Sequence, residues 1–418
     1  MFDIYKINNH NDISETYQAN PFNFDEVIDR VDSGSLKWDA TNDFLKPEYA
    51  VHNPLPMWVA DMDFKVAPVI QEYIIKYAQF GVYGYGYVPA SFKEAVINWQ
   101  KKKFGWEPEA SWMVQTPGVV NALNMAIQAY TQPGDSILIQ SPVYFHFHAD
   151  IEANGRIVSS APLKLINNRY VFDADVFEAA IRPDTKLFIL CNPHNPTGNV
   201  WSYEELSLMA NICLKYGIII ISDEVHQDLI LNTNKKHIPL PLLSEEIADQ
   251  TIVCTAPSKT FNLAGLQCSN IFIKNQTLRN QFKQQCAKAG NNMVNTFGVI
   301  ACEAAYRYGQ TWLDALLSYL KKNRDYFSES IQNSGLPLKV IDSDSLYLLW
   351  IDCRELHLTD EQLIDLFIKE AHVWLDPGIK FGLGGNGFMR INLACPLSVV
   401  KYATEQIINA VNTFKTDI

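Results

Sequence analysis

Three short stretches, KLFILCN (186–192), IIIISDE (218–224) and QTIVCT (250–255), each contain an unbroken apolar run. A strand with one wet face alternates apolar and polar residues. Continuous apolar runs of this length belong instead to strands buried on both faces, as in a parallel sheet wrapped by helices. Between the first two lies SYEELSLMANICLKYG (202–217), apolar at helical spacing and closed by Gly217. GVVNALNMAIQAY (118–130) reads as another helix, and DSILIQS (135–141) and CSNIFIKN (268–275) as further strands. The alternation predicts an α/β fold, in which ligands sit beyond the carboxyl ends of the strands.

The last third changes character. Long helical patterns over about 296–334 precede SLYLLWIDC. A helix near 359–371, FMRINLA as a strand and a closing helix near 397–414 follow. This predicts a separate, smaller α+β unit, and 418 residues suit such a division. The expected boundaries are an N-terminal arm over 1–45, a large domain over 46–292 and a small domain over 293–418.

Three of the strand ends carry chemistry. CNPHNPTGN (191–199) breaks the chain with two Asn-Pro steps and a glycine, leaving Asn192 and Asn195 at the strand's carboxyl edge. Asp223 follows four isoleucines and Ser222, a costly place for a carboxylate unless a cation or donor meets it. Lys259, in APSKTFNLAGLQ (256–267), ends its own strand, and a desolvated lysine is a candidate Schiff-base nucleophile. Taken singly, each has a plainer reading: a proline-rich loop, a helix cap or salt bridge, and a lysine with its amine in solvent. Together they match one ligand. An aldehyde needs an amine, a ring nitrogen needs a carboxylate and a ring hydroxyl needs an amide; pyridoxal phosphate has all three groups. TPGVVNAL places Gly118 at a helix start, where free N–H groups suit the phosphate.

Other ligand classes fit poorly. The formal charge of −12, with KKK (101–103) as the longest basic run, offers no footprint for nucleic acid or an anionic membrane. The eight cysteines stand singly with no CxxC pair, so neither a zinc site nor a redox pair is indicated. HFH (146–148) and DEVHQD lack zinc-ligand spacing, so no metal site is expected. GLGGNG (382–387) matches a dinucleotide fingerprint but leads into a strand pattern rather than a helix. The amino terminus lacks a basic start and an apolar stretch, and the longest aliphatic runs are too short to span a bilayer. A cytoplasmic protein is expected.

From about Phe24 onward the chain resembles the fold-type I pyridoxal-phosphate enzymes of the aspartate aminotransferase superfamily. Within them it is similar to the MalY/PatB-type cystathionine β-lyases, or C–S lyases. The resemblance is carried by SLKWD, MWVADMDF, YGYGYVP, TPGVVNAL, SPVYFHF, NPHNPTG, SDEVHQDL, APSKTFNLAGLQ and WLDPGIKFGLGGNGFMRINLACP, in that order. It implies a large domain with a mostly parallel seven-stranded sheet between helices and a smaller α+β domain. It also implies pyridoxal 5′-phosphate as cofactor. Lys259 would hold the cofactor covalently and move the substrate's α-proton. Asp223 would face the ring nitrogen and Asn195 the phenolic oxygen. Tyr144 would stack on the ring, with His226 beside it. Gly118, Val119, Val120 and Ser258 would hold the phosphate, joined by Tyr85 from a neighbouring subunit of a homodimer with shared sites. Arg390 would clamp the substrate's α-carboxylate, with Asp61 and Asn195 also on the substrate.

The chain departs from the aminotransferase pattern at Ala256, where many relatives have serine, and at Gln267, where many have arginine. AGLQ is the form found in the lyase branch. His226 stands where aminotransferases often place a tyrosine, and DSLYLLW (344–350) replaces the lyase branch's usual GTYL. The activity implied is α,β-elimination of L-cystathionine or another cysteine S-conjugate to a thiol, pyruvate and ammonia. The alternatives are an aminotransferase on the same scaffold and a regulator that binds a protein partner, with lyase activity secondary.

Overall fold

The computed structural model describes residues 22–291 and 293–416. The expectations for the amino terminus and the first half of the arm, residues 1–21, lie outside the described residues. A seven-stranded sheet forms the centre. Its strands are β1 (Met113–Thr116), β2 (Ser136–Ser141), β3 (Ile157–Pro162), β4 (Thr185–Cys191), β5 (Ile219–Asp223), β6 (Thr251–Thr255) and β7 (Ser269–Ile273). They lie in the order β1-β7-β6-β5-β4-β2-β3. The five strands from β6 to β3 run parallel, and β7 is antiparallel to both its neighbours.

β2, β6 and β7 are buried at every residue, as the unbroken apolar runs require of strands covered on both faces. The covering helices follow their sequence signals. The helix Tyr203–Tyr216 opens on a capping box between Ser202 and Glu205 and ends at Gly217, whose φ of 65° favours glycine.

The carboxyl-terminal unit holds a four-stranded antiparallel sheet of β8 (Lys339–Val340), β9 (Leu348–Asp352), β10 (Asp376–Pro377) and β11 (Phe388–Asn392), in the order β8-β9-β11-β10. The helical patterns over 296–334 are two helices, Thr296–Tyr308 and Gln310–Asn333. The break falls at Gly309, where a Cβ would stand 2.4 Å from the Phe261 ring. The pattern near 359–371 is a short helix, Asp360–Asp365, continued by a π turn over Leu366–Glu370. GLGGNG is a turn leading into β11, with positive φ at Gly382, Gly384 and Gly387.

All eight cysteines are buried and unpaired. Among the described residues, no helix is long and apolar enough to cross a membrane and no group of three acidic, histidine or cysteine side chains could hold a metal ion.

Candidate active site

Neighbouring parallel strands deliver the polar groups to one edge. β4, β5 and β6 lie side by side, and their carboxyl ends lead to Asn195, Asp223 and Lys259. β2 leads to Tyr144, and β1 leads to Gly118 at the start of the helix Val119–Tyr130. These residues line one cavity of about 240 Å³, together with Ser258, His226 and Arg390. A larger cleft of about 800 Å³ lies elsewhere, lined by Asn168, Arg169, Arg324 and Asp342 among others. Its arginines are already paired, Arg169 with Asp344 and Arg324 with Asp325, and it holds none of the groups expected to react.

Asp223 is buried at the cavity floor. Burial pushes its carboxyl up to about 7, against the smaller opposing effects of the Val225 N–H, 3.2 Å from Oδ1, and the Lys259 charge. A carboxylate so placed calls for a cationic donor from a ligand. Lys259 shows the converse: burial lowers its amine from 10.5 to about 8, with Arg390 adding to the shift and Asp61 and Asp223 opposing it. Its Nζ donates to the Ala60 carbonyl at 2.9 Å. His226 is buried, its Nδ1 has no partner among the described residues, and burial holds its pKa well below the ordinary value.

Arg390 comes from β11 and is 2 % exposed. One Nη donates to Asn195 Oδ1 at 3.2 Å; the other donates to the Trp58 carbonyl at 3.0 Å and to Asp376 Oδ2. Its buried Nε has no partner among the described residues, a cationic donor left over for a carboxylate.

The stretch Trp58–Ala60 also lines the cavity. The Asn392 amide donates to the carbonyls of Val59 and Asp61, and the Ala60 carbonyl also accepts from Tyr347 Oη at 3.0 Å. Asn262 ties this wall to the lysine loop: its side chain accepts from Met62 N at 2.9 Å and donates to the carbonyls of Met62 (3.0 Å) and Phe64 (3.2 Å). Its φ of 56° is one that asparagine tolerates.

Two expected residues, Asp61 and Tyr85, are not among those lining this cavity. Tyr85 lies in the stretch 81–89, and its side chain is 96 % exposed. Asp376, Ala60 and Asn262 were not among the residues expected at the site. Asp376 carried a signal: it sits in LDPG, within a motif already singled out, and a buried arginine needs a carboxylate.

The residues present fit pyridoxal phosphate. A desolvated amine, a buried carboxylate outside any ion pair among the described residues and the N–H groups at a helix start face a single cavity. Asp223, Lys259 and the Gly118–Val120 turn match ring nitrogen, aldehyde and phosphate in kind.

Residues 61–407 match the family described as "Aminotransferase class I and II". The chain is 40 % identical to cystathionine β-lyase PatB of Bacillus subtilis over 92 % of its own length and 98 % of the relative's. Among solved structures, cystalysin from Treponema denticola, which contains a pyridoxal 5′-phosphate cofactor, is 34 % identical with a TM-score of 0.89. It is matched over 94 % of this chain and all of that one. A pyridoxal-phosphate-bound putative aminotransferase from Clostridium difficile is 39 % identical with a TM-score of 0.90 over the same shares.

Proposed function

The chain belongs to the aminotransferase class I and II family, and from that premise we propose that it is a pyridoxal-phosphate-dependent carbon–sulfur β-lyase acting on L-cystathionine and related cysteine S-conjugates. The observation that carries the reaction class is the likeness, nearly end to end, to a cystathionine β-lyase. The cavity supports the cofactor and the assignment of roles.

When bound, pyridoxal phosphate supplies an aldehyde for the amine and an electron sink for the charge left when the α-proton departs. The chain's own groups do the rest. Asp223 holds the proton at the ring nitrogen. The Gly118–Val120 turn and Ser258 hold the phosphate, and Tyr144 and His226 cover the ring and keep water away. Arg390 takes the substrate's α-carboxylate on its unspent Nε and turns the Cα–H bond toward Lys259, an orientation effect. Lys259, with its amine lowered to about 8, takes that proton near neutral pH. The Cβ–S bond then breaks, its electron pair leaves with sulfur as a thiolate, and the released 2-aminoacrylate hydrolyses to pyruvate and ammonia. From L-cystathionine the thiol is homocysteine.

The site is completed by a second copy of the chain. Tyr83, Tyr85 and Tyr87 form an exposed aromatic run of the kind that marks an interface, and Tyr85 would reach the partner's phosphate. The test of the reaction class is whether pyruvate appears from L-cystathionine without any 2-oxo acid.

A further inference from the structure

Besides His226, four side chains lining the cavity are acidic or basic: Asp223, Lys259, Asp376 and Arg390. In the proposed reaction each is spoken for. Asp223 serves the ring nitrogen, Lys259 the aldehyde and the α-proton, and Arg390 the α-carboxylate. Asp376 is shared between Arg390 and Lys380, whose Nζ donates to Oδ1 at 3.2 Å. The polar lining at Asn195, Ser258 and Gly118–Val120 goes to the cofactor. The side chains left on the Arg390 side are apolar: Trp58, Val59, Ala60 and Phe145.

Arg390 marks where the substrate's α-carbon sits, and two aromatic residues flank it. On one side its Nη donates to the Trp58 carbonyl at 3.0 Å. The Trp58 ring is stacked on Trp374, with centroids 4.3 Å apart, which fixes that side. On the other side the guanidinium carbon lies 4.9 Å from the centroid of the Phe381 ring. Phe381 meets Phe145 edge to face at 6.3 Å, and Phe145 touches Tyr144 at 4.9 Å. Phe145 therefore stands between the residue that covers the cofactor ring and the wall that holds the arginine. It opens the helix Phe145–Ala153 and is only half-buried, so part of its ring is free to be covered by a ligand.

The sulfur of a cysteine conjugate is two bonds from the α-carbon. Its substituent starts between these aromatic walls. A charged group drawn into such a gap loses water without gaining a partner, whereas an apolar group gains by leaving water.

We propose that Phe145, facing Trp58, is a specificity-determining residue, and that the enzyme favours cysteine S-conjugates with an uncharged, apolar sulfur substituent. L-cystathionine, whose substituent ends in an ammonium and a carboxylate, is then a poorer substrate than an apolar conjugate. The inference rests on the lyase reading.

The test uses three conjugates: S-benzyl-L-cysteine, cationic S-(2-aminoethyl)-L-cysteine and anionic S-(2-carboxyethyl)-L-cysteine. Calorimetry on the cofactor-loaded Lys259→Ala protein measures binding without turnover. S-benzyl-L-cysteine binds about 10- to 100-fold more tightly than either charged conjugate, the range for burying one large apolar side chain. Pyruvate release by the enzyme with Lys259 intact, without a 2-oxo acid, then gives kcat/KM ratios of the benzyl to each charged conjugate. In Phe145→Ala both ratios fall about tenfold. Each ratio is taken within one protein sample, so it does not depend on how much of the variant folds. The leaving tendency of each thiol is the same in parent and variant, so it cancels from the change. Tighter binding of either charged conjugate than of the benzyl one, or ratios that Phe145→Ala leaves unchanged, overturns the proposal. Pyruvate from any of the three keeps the lyase reading whatever the ratios; pyruvate from none of them removes that reading first.

Discussion

Asp376 and Arg390 form an ion pair in which each side chain is 2 % exposed, and the pair leaves the arginine's Nε with no partner among the described residues. The carboxylate lets a full positive charge sit in a buried wall, and the unspent donor gives that charge a use. Removing one partner of a buried pair strands the other, at a cost of about 3–5 kcal/mol. Asp376→Ala is therefore expected to lower the denaturation midpoint and raise KM together. Arg390→Lys keeps the charge but loses the planar fork, and is expected to raise KM about tenfold or more. Steady-state kinetics with urea unfolding separates the two effects.

Asp223 sets a pH dependence in the cofactor-free protein. Its carboxyl is raised from the ordinary 3.8 to about 7, first by burial. Between those values the folded chain keeps a proton that the unfolded chain has lost, so this group makes folding less favourable as pH rises through that window. Above about 7 the penalty is complete. Asp223→Asn removes it. The urea midpoint of the cofactor-free variant is expected to gain on that of the parent between about pH 5 and pH 8. A constant difference across that range contradicts the assignment.

Lys259→Ala is expected to abolish turnover and the visible absorbance of the covalently held cofactor while the fold survives. The amine makes one hydrogen bond, to the Ala60 carbonyl, and burial disfavours its charge. Its removal is expected to leave the unfolding midpoint of the cofactor-free protein no lower than the parent's, as calorimetry would show.

Asn262→Ala removes three hydrogen bonds between the lysine loop and the Met62–Phe64 stretch, and places alanine at a φ of 56°. Loss of about 1–3 kcal/mol is expected from the buried groups left unpaired. Asn262→Gly, which relieves the backbone strain but not the lost bonds, recovers only part of it in urea unfolding.

Tyr85→Ala tests the shared site. Neither Tyr85→Ala nor Lys259→Ala alone is expected to turn over at the parent rate. Dimers formed by refolding the two together contain one unaltered site, provided Tyr85 serves its partner. Recovered activity in the mixture supports that arrangement, and no recovery above the sum of the separate proteins contradicts it.

Much of this site is legible in the chain because local chemistry announces it. Asp223 after four isoleucines, Lys259 at a strand end and Gly118 before a helix are each conspicuous, and the sheet order brings them together. What is not legible depends on contacts between distant segments. The run 268–275 reads as a strand, but its antiparallel direction comes from the Ser269–Thr116 and Asn270–Thr255 pairings. The Ala60 carbonyl has no side-chain signature, yet Lys259 and Tyr347 meet on it from residues far along the chain. Two aspartates one residue apart look alike in MWVADMDF. Only the folded chain shows Asp63 saturated and Asp61 with an oxygen to spare.

The reaction class is tested most directly by incubating the cofactor-loaded protein with L-cystathionine alone, with no 2-oxo acid added, and following pyruvate and homocysteine together. A carbon–sulfur β-lyase releases the two in equal amounts. Absence of pyruvate, with turnover appearing only when a 2-oxo acid is supplied to accept the amino group, would contradict this account and make the protein an aminotransferase.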